Sequence, residues 1–74
     1  MAEHVRLEIA FDGGQIMGAL VSTESADDLD KALAGGQEAS LALDAADGRY
    51  TVAVRRIVYV KRFARESRVG FGSQ

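Results

Sequence analysis

The longest β-prone run in the chain covers residues 49–63, with the sequence RYTVAVRRIVYVKRF. Its first half alternates apolar and polar or small residues with a period of two, which is typical of a half-buried strand. The pair Arg55-Arg56 interrupts the run, and the apolar character resumes over residues 57–63. This stretch therefore predicts two consecutive strands separated by a short turn or kink at the two arginines.

A second pair of strands is predicted near the start of the chain. Apolar and polar residues alternate strictly there, with the apolar set Val5, Leu7, Ile9 and Phe11. Asp12-Gly13-Gly14 follows, and residues that tolerate positive φ are those that a tight hairpin needs. The return strand, residues 15–21, is apolar at both odd and even positions, so we expect it to be covered on both faces.

One helix is predicted over about residues 24–34. Thr23 or Ser25 is the expected N-cap, since their hydroxyls can accept the free N–H groups of a first turn. Gly35-Gly36 provides the left-handed residue that commonly ends a helix. A narrow apolar stripe for packing on the sheet is formed by Ala26, Leu29 and Leu33, at spacings i, i+3 and i+7.

The remaining elements complete a single α+β domain over residues 1–74. Alternation over residues 39–44 predicts another strand, and Asp47-Gly48 predicts a second hairpin. Residues 68–71, with Val69 and Phe71 in register, are a candidate edge strand. This strand either pairs within its own chain or pairs with a neighbouring copy and serves as an edge for self-association. The order is ββαβββ with that short C-terminal edge strand in addition. It predicts a small, strongly bent antiparallel sheet or an SH3/Sm-like barrel, with the helix at an open end.

Composition argues against catalysis and metal binding. The chain has no cysteine and one histidine, His4, so neither a thiolate site nor an imidazole cluster is available. Asp27, Asp28 and Asp30 would point in different directions on a helix. The glycine pairs lack the spacing of a phosphate-binding loop. We therefore predict no enzyme, no catalytic residue, no metal, no cofactor and no small-molecule substrate.

The chain also shows no sign of membrane insertion. Its N-terminal residues lack the basic start and apolar centre of a signal peptide, and no apolar run approaches the length of a membrane helix. We expect no membrane partner and a cytoplasmic location.

The charge of the chain is unevenly distributed. Residues 1–54 contain ten carboxylates and three Lys or Arg, a net charge of −7, whereas residues 55–74 contain six Lys or Arg and one carboxylate, a net charge of +5. Such polarity is found in nucleic-acid-binding proteins. It would equally let the acidic part of one copy attract the basic part of another.

Basic and aromatic residues are interleaved in the last predicted strand. If residues 55–65 are extended, Tyr59, Lys61 and Phe63 share one face, while Val58 and Val60 face the core. Such a face can stack bases and bind phosphates of single-stranded nucleic acid. The candidate nucleic-acid-binding residues are Arg55, Arg56, Tyr59, Lys61, Phe63 and Arg65. In the alternative interpretation, Tyr59 and Phe63 cover the core and the basic side chains lie over them with their charges in water.

Two segments resemble motifs of Sm and Hfq-like proteins. Residues 13–20 resemble the first motif, which has a hairpin glycine, four residues and then Gly-x-Leu, here Gly18-Ala19-Leu20. Residues 54–60 are similar in character to the second motif, a basic turn before an apolar strand. The resemblance implies a bent five-stranded barrel that forms RNA-binding rings through strands four and five. Arg55 and Arg56 would then lie near the RNA, and strands 49–54 and 57–63 would be assembly edges.

The function we expect from the sequence is that of a non-catalytic small β-barrel-like interaction and assembly module. Without disulfides, a domain of 74 residues has little core, and oligomerisation is a common further source of stability. We therefore expect a homo-oligomer. The alternative is a protein that binds single-stranded nucleic acid, RNA in particular, through the basic and aromatic C-terminal strand.

Overall fold

The computed structural model describes residues 3–36 and 38–64. They form five strands, one α-helix and a single turn of 3-10 helix, in an order that confirms the predicted ββαβββ arrangement. The elements are β1 (His4–Phe11), β2 (Ile16–Ser22), α1 (Thr23–Gly35), β3 (Ser40–Ala45), β4 (Gly48–Ala53), the 3-10 turn (Val54–Arg56) and β5 (Ile57–Arg62).

The five strands form one antiparallel sheet in the spatial order β4-β3-β2-β1-β5. The predicted α+β class, the single helix and the antiparallel sheet are confirmed. The predicted barrel is not, because β4 and β5 remain the two edges and the described residues form no ladder that joins them. The β2–β3 ladder is short: Val21 pairs with Ala45, and the Ala46 N–H donates to the Leu20 carbonyl at 2.9 Å. The candidate strand at residues 68–71 lies outside the described residues.

Glycine makes the hairpin between β1 and β2 possible. Gly13 and Gly14 have φ angles of 91° and 93°, values that a residue with a side chain rarely adopts. The Phe11 N–H donates to the Gln15 carbonyl at 2.8 Å and closes the turn. The predicted hairpin is thereby confirmed.

The ends of α1 differ from the prediction at one cap. The N-cap is Ser22, whose Oγ accepts a hydrogen bond from the Ser25 N–H at 3.1 Å, and neither Thr23 nor Ser25 has that position. The N–H that it satisfies belongs to the third residue after the N-cap, which is the ordinary geometry of such a cap. At the other end, Gly36 adopts a φ of 69° and its N–H donates to the Ala32 carbonyl at 2.9 Å, as the glycine pair predicted.

The hydrophobic core lies between α1 and one face of the sheet, which we call the inner face. It consists of Leu7, Ile9, Val21, Ala26, Leu29, Leu43 and Val52. The predicted stripe of α1 needs a correction, because Leu33 is 37% exposed and Ala32 is buried instead. The stripe therefore follows i, i+3 and i+6 from Ala26, and the buried side of the helix is completed by Ser25.

Two buried serines connect three elements around this core. Ser22 at the end of β2 donates through its Oγ to the Ser25 Oγ at 3.0 Å. The Ser25 Oγ in turn accepts the backbone N–H of Asp44 in β3 at 2.9 Å. Since buried polar groups are stable only when they are hydrogen-bonded, this chain of bonds fixes the start of α1 against both β2 and β3.

We expect Ser25→Ala to destabilise the fold by about 1–3 kcal/mol, since it removes the acceptor of the Asp44 N–H. Urea unfolding followed by circular dichroism measures this change. Ser40→Ala is the matched control, because Ser40 is an exposed serine in the same strand as Asp44. Equal unfolding midpoints for the two variants would contradict a structural role for the serine pair.

Candidate interaction surface

The last strand, β5, lies at an edge of the sheet beside β1. Its register places Lys61 opposite Glu8, Val60 opposite Ile9 and Tyr59 opposite Ala10. Paired residues of an antiparallel ladder point to the same face. Val60 therefore lies on the inner face with the buried Ile9, whereas Tyr59 and Lys61 lie on the opposite face, which we call the outer face.

A β-bulge changes the predicted alternation at the start of β5. The register shifts between Ala10 and Phe11, so that Phe11 lies opposite Ile57 and Val58 is an extra residue. Ile57 consequently packs against the core, although the alternation predicted it on the outer face. Val58, predicted to face the core, is 66% exposed. Val60 packs against the core as predicted.

The outer face exposes several large apolar side chains. Ile16 is 62% exposed, Leu20 is 50% exposed and Tyr59 is 44% exposed. The register of β1 with β2 and β5 places Ile16 and Tyr59 on either side of Ala10. The prediction that β2 is covered on both faces is therefore wrong for the described chain, because its apolar residues on the outer face remain open.

Two cations and an aromatic ring meet at one end of this face. The Lys61 Nζ lies 4.6 Å and the Arg6 Cζ 5.4 Å from the centroid of the Phe63 ring. Both distances are within the range of cation–π attraction. Lys61 and Phe63 were predicted from the sequence as nucleic-acid-binding residues. Arg6 of β1, which lies beside them in the structure, was not.

Tyr59 is tied to β1 through its hydroxyl. The Tyr59 O–H donates to the Glu8 Oε2 at 2.7 Å. This hydrogen bond to a carboxylate favours the protonated phenol and is the main reason that the pKa of Tyr59 is raised. The hydroxyl edge of this ring is therefore already engaged, and its apolar part remains exposed.

Of the three arginines that the structure describes in the basic segment, two are paired within the chain. Arg56 of the 3-10 turn lies 3.2 Å from the Asp12 carboxylate. Arg62 of β5 contacts Asp27 at 2.9 Å and Asp30 at 3.2 Å, both on α1. The hydrogen bond to Asp27 is the main cause of the raised pKa of Arg62.

Arg55 is the exception among these cations. It is exposed in the 3-10 turn and makes no ion pair with any described residue. Of the remaining predicted residues, Arg65, Val69 and Phe71 lie outside the described part of the chain. The structure thus brings Tyr59, Lys61 and Phe63 to one surface and leaves Arg55 and Arg56 in the turn that precedes it.

The outer edge of β5 carries unpaired backbone groups. The Phe63 N–H donates to the Arg6 carbonyl at 3.0 Å, so in this ladder the odd-numbered residues from 59 to 63 hydrogen-bond to β1. The N–H and C=O groups of Val60 and Arg62 therefore point away from β1. No strand among residues 3–36 and 38–64 pairs with this edge.

Residues 3–36 and 38–64 contain no group of three or more metal-ligating side chains. Asp27 and Asp30 come together, but on the Arg62 guanidinium. Among the same residues, neither α1 nor the 3-10 turn is long and apolar enough to cross a membrane.

No protein-family model matches the chain, and neither curated proteins nor solved structures give a significant match to it.

Proposed function

We propose that this protein is a non-catalytic assembly module that self-associates through the open edge of β5. The observation that carries the proposal is the pair of positions Val60 and Arg62, whose N–H and C=O groups face the open side and pair with no strand of the described residues, beside the exposed side chain of Val58. An open edge of this kind is a template for pairing with a strand of another chain. Val58, at 66% exposure, would be shielded by such a strand.

The usual protections of an edge strand are weak on β5. Natural sheets discourage edge pairing with charged side chains, prolines and bulges. The Arg62 guanidinium is held by Asp27 and Asp30 on the helix, and the Lys61 ammonium lies over the Phe63 ring. The bulge disturbs only the start of the strand, so its second half is left available.

The resemblance to Sm and Hfq-like proteins is in accord with the proposal. It implies assembly through the strands at residues 49–54 and 57–63, and β4 and β5 are the two edges of this sheet. The small size of the domain is a second reason, because assembly adds buried area that a chain of 74 residues lacks by itself.

We expect the full-length protein to sediment as a dimer or larger species at tens of micromolar. Val58→Asp places a carboxylate beside the pairing edge and should shift the protein toward monomer. Ile16→Asp is the matched control, because Ile16 is 62% exposed but lies on β2, away from this edge. A monomeric parent protein, or dissociation caused by Ile16→Asp and not by Val58→Asp, would contradict assembly through β5.

A second candidate function is the binding of single-stranded nucleic acid on the outer face. The cluster of Arg6, Lys61 and Phe63 favours it, because a ring flanked by cations offers both a stacking surface and phosphate contacts. Arg55 adds a cation without an ion pair among the described residues. The pairing of Arg56 with Asp12 and the presence of Glu8 on the same face reduce the positive charge available.

This second function predicts that fluorescently labelled single-stranded RNA or DNA binds at low salt and dissociates as salt rises, because bound counterions are released on binding. Lys61→Glu should greatly weaken the binding measured by anisotropy. Lys31→Glu is the control, since it makes the same charge change on the exposed side of α1. No binding at low salt, or equal weakening by both substitutions, would exclude the Lys61 surface as a nucleic-acid site.

A further inference from the structure

We propose that the assembly contains a two-fold symmetric antiparallel pairing of β5 with β5 of a second copy, in which Val60 lies opposite Val60. This inference rests on the proposed self-association and specifies its geometry. It would join two five-stranded sheets into one continuous sheet of ten strands. A pairing of the same surface on both copies closes on itself and yields a finite dimer.

The backbone restricts the registers that are available. Val60 and Arg62 direct their N–H and C=O groups to the open edge, as the bond from Phe63 to Arg6 requires. An antiparallel partner strand must hydrogen-bond through these residues of the ladder. The two-fold axis can therefore lie at any residue from 58 to 62, and each choice fixes a different set of cross-strand neighbours.

Charge selects among these registers. An axis at Lys61 or Arg62 places two like charges directly opposite each other, which is destabilising. An axis at Tyr59 extends the ladder into the bulge at Ile57 and places Arg62 opposite Arg56. An axis at Val58 places Lys61 opposite Arg55. Each of these four registers therefore has a repulsive or distorted pair.

The register centred on Val60 avoids a like-charge pair. It uses residues 58–62, so that the extra residue Val58 stands only at the ends of the ladder, and places Val60 opposite its own copy. Tyr59 then lies opposite Lys61 of the second copy, and an aromatic ring beside an ammonium group is an attractive pair on the outer face. Val58 lies opposite Arg62 of the second copy, whose aliphatic stem can cover the exposed valine while the guanidinium stays with Asp27 and Asp30.

Single cysteines test this register directly, because the full-length chain has no other thiol. Residues on the axis of a hydrogen-bonded pair have Cα atoms about 5.5 Å apart, which is within the range of a disulfide. Under mild oxidation, Val60→Cys should form covalent dimers several-fold faster than Tyr59→Cys or Lys61→Cys. Sedimentation of each variant under reducing conditions shows whether it still self-associates.

A mixture of two variants gives a second test that leaves Val60 intact. Tyr59→Cys mixed with Lys61→Cys should give mostly the mixed dimer, since residues 59 and 61 of the two copies would be neighbours. Fastest cross-linking of Tyr59→Cys or Lys61→Cys alone would overturn the register. A non-covalent dimer with no cross-link in any variant or in the mixture would overturn the β5 pairing while self-association stands. A monomeric parent protein would overturn both.

Discussion

The ladder between β1 and β5 determines what this molecule can present to a partner. It joins the last described strand to the first and so makes β5 an edge of the sheet. Its hydrogen bonds turn alternate backbone groups of β5 toward the open side. Its bulge sends Ile57 to the core and leaves Val58 exposed. Both the open edge and the composition of the outer face follow from this one pairing.

The uneven charge of the sequence is partly used within the chain. Basic residues near the end contact carboxylates of the first half, as in Arg56 with Asp12 and Arg62 with the two aspartates of α1. Exposed pairs of this kind contribute little stability individually. Their larger effect is on recognition, because they engage two of the four cations in residues 55–64 that a nucleic acid would need. For this reason we propose assembly ahead of nucleic-acid binding.

Local sequence signals predicted the parts of the fold that depend on neighbouring residues. The glycine hairpin, the length of α1, its Gly36 end and the inward alternation of β1 all have causes within a few residues. The bulge could not be predicted, because it arises from how two strands distant in sequence align, and neither strand alone shows an extra residue. The Arg62 contact with α1 and the Phe63 cluster with Arg6 were missed for the same reason. The prediction that Tyr59, Lys61 and Phe63 share one face is correct, because regular alternation continues from Tyr59 onward, after the bulge.

The most direct test of the account is amide hydrogen exchange in β5, measured by NMR at low and high protein concentration. The account predicts that the amides of Tyr59 and Lys61, bonded to β1, are protected at both concentrations. Those of Val60 and Arg62 should exchange quickly in dilute protein and become protected as concentration rises. Assembly through the β5 edge would be contradicted if the amides of Val60 and Arg62 were equally protected at both concentrations. It would also be contradicted if they were unprotected at both.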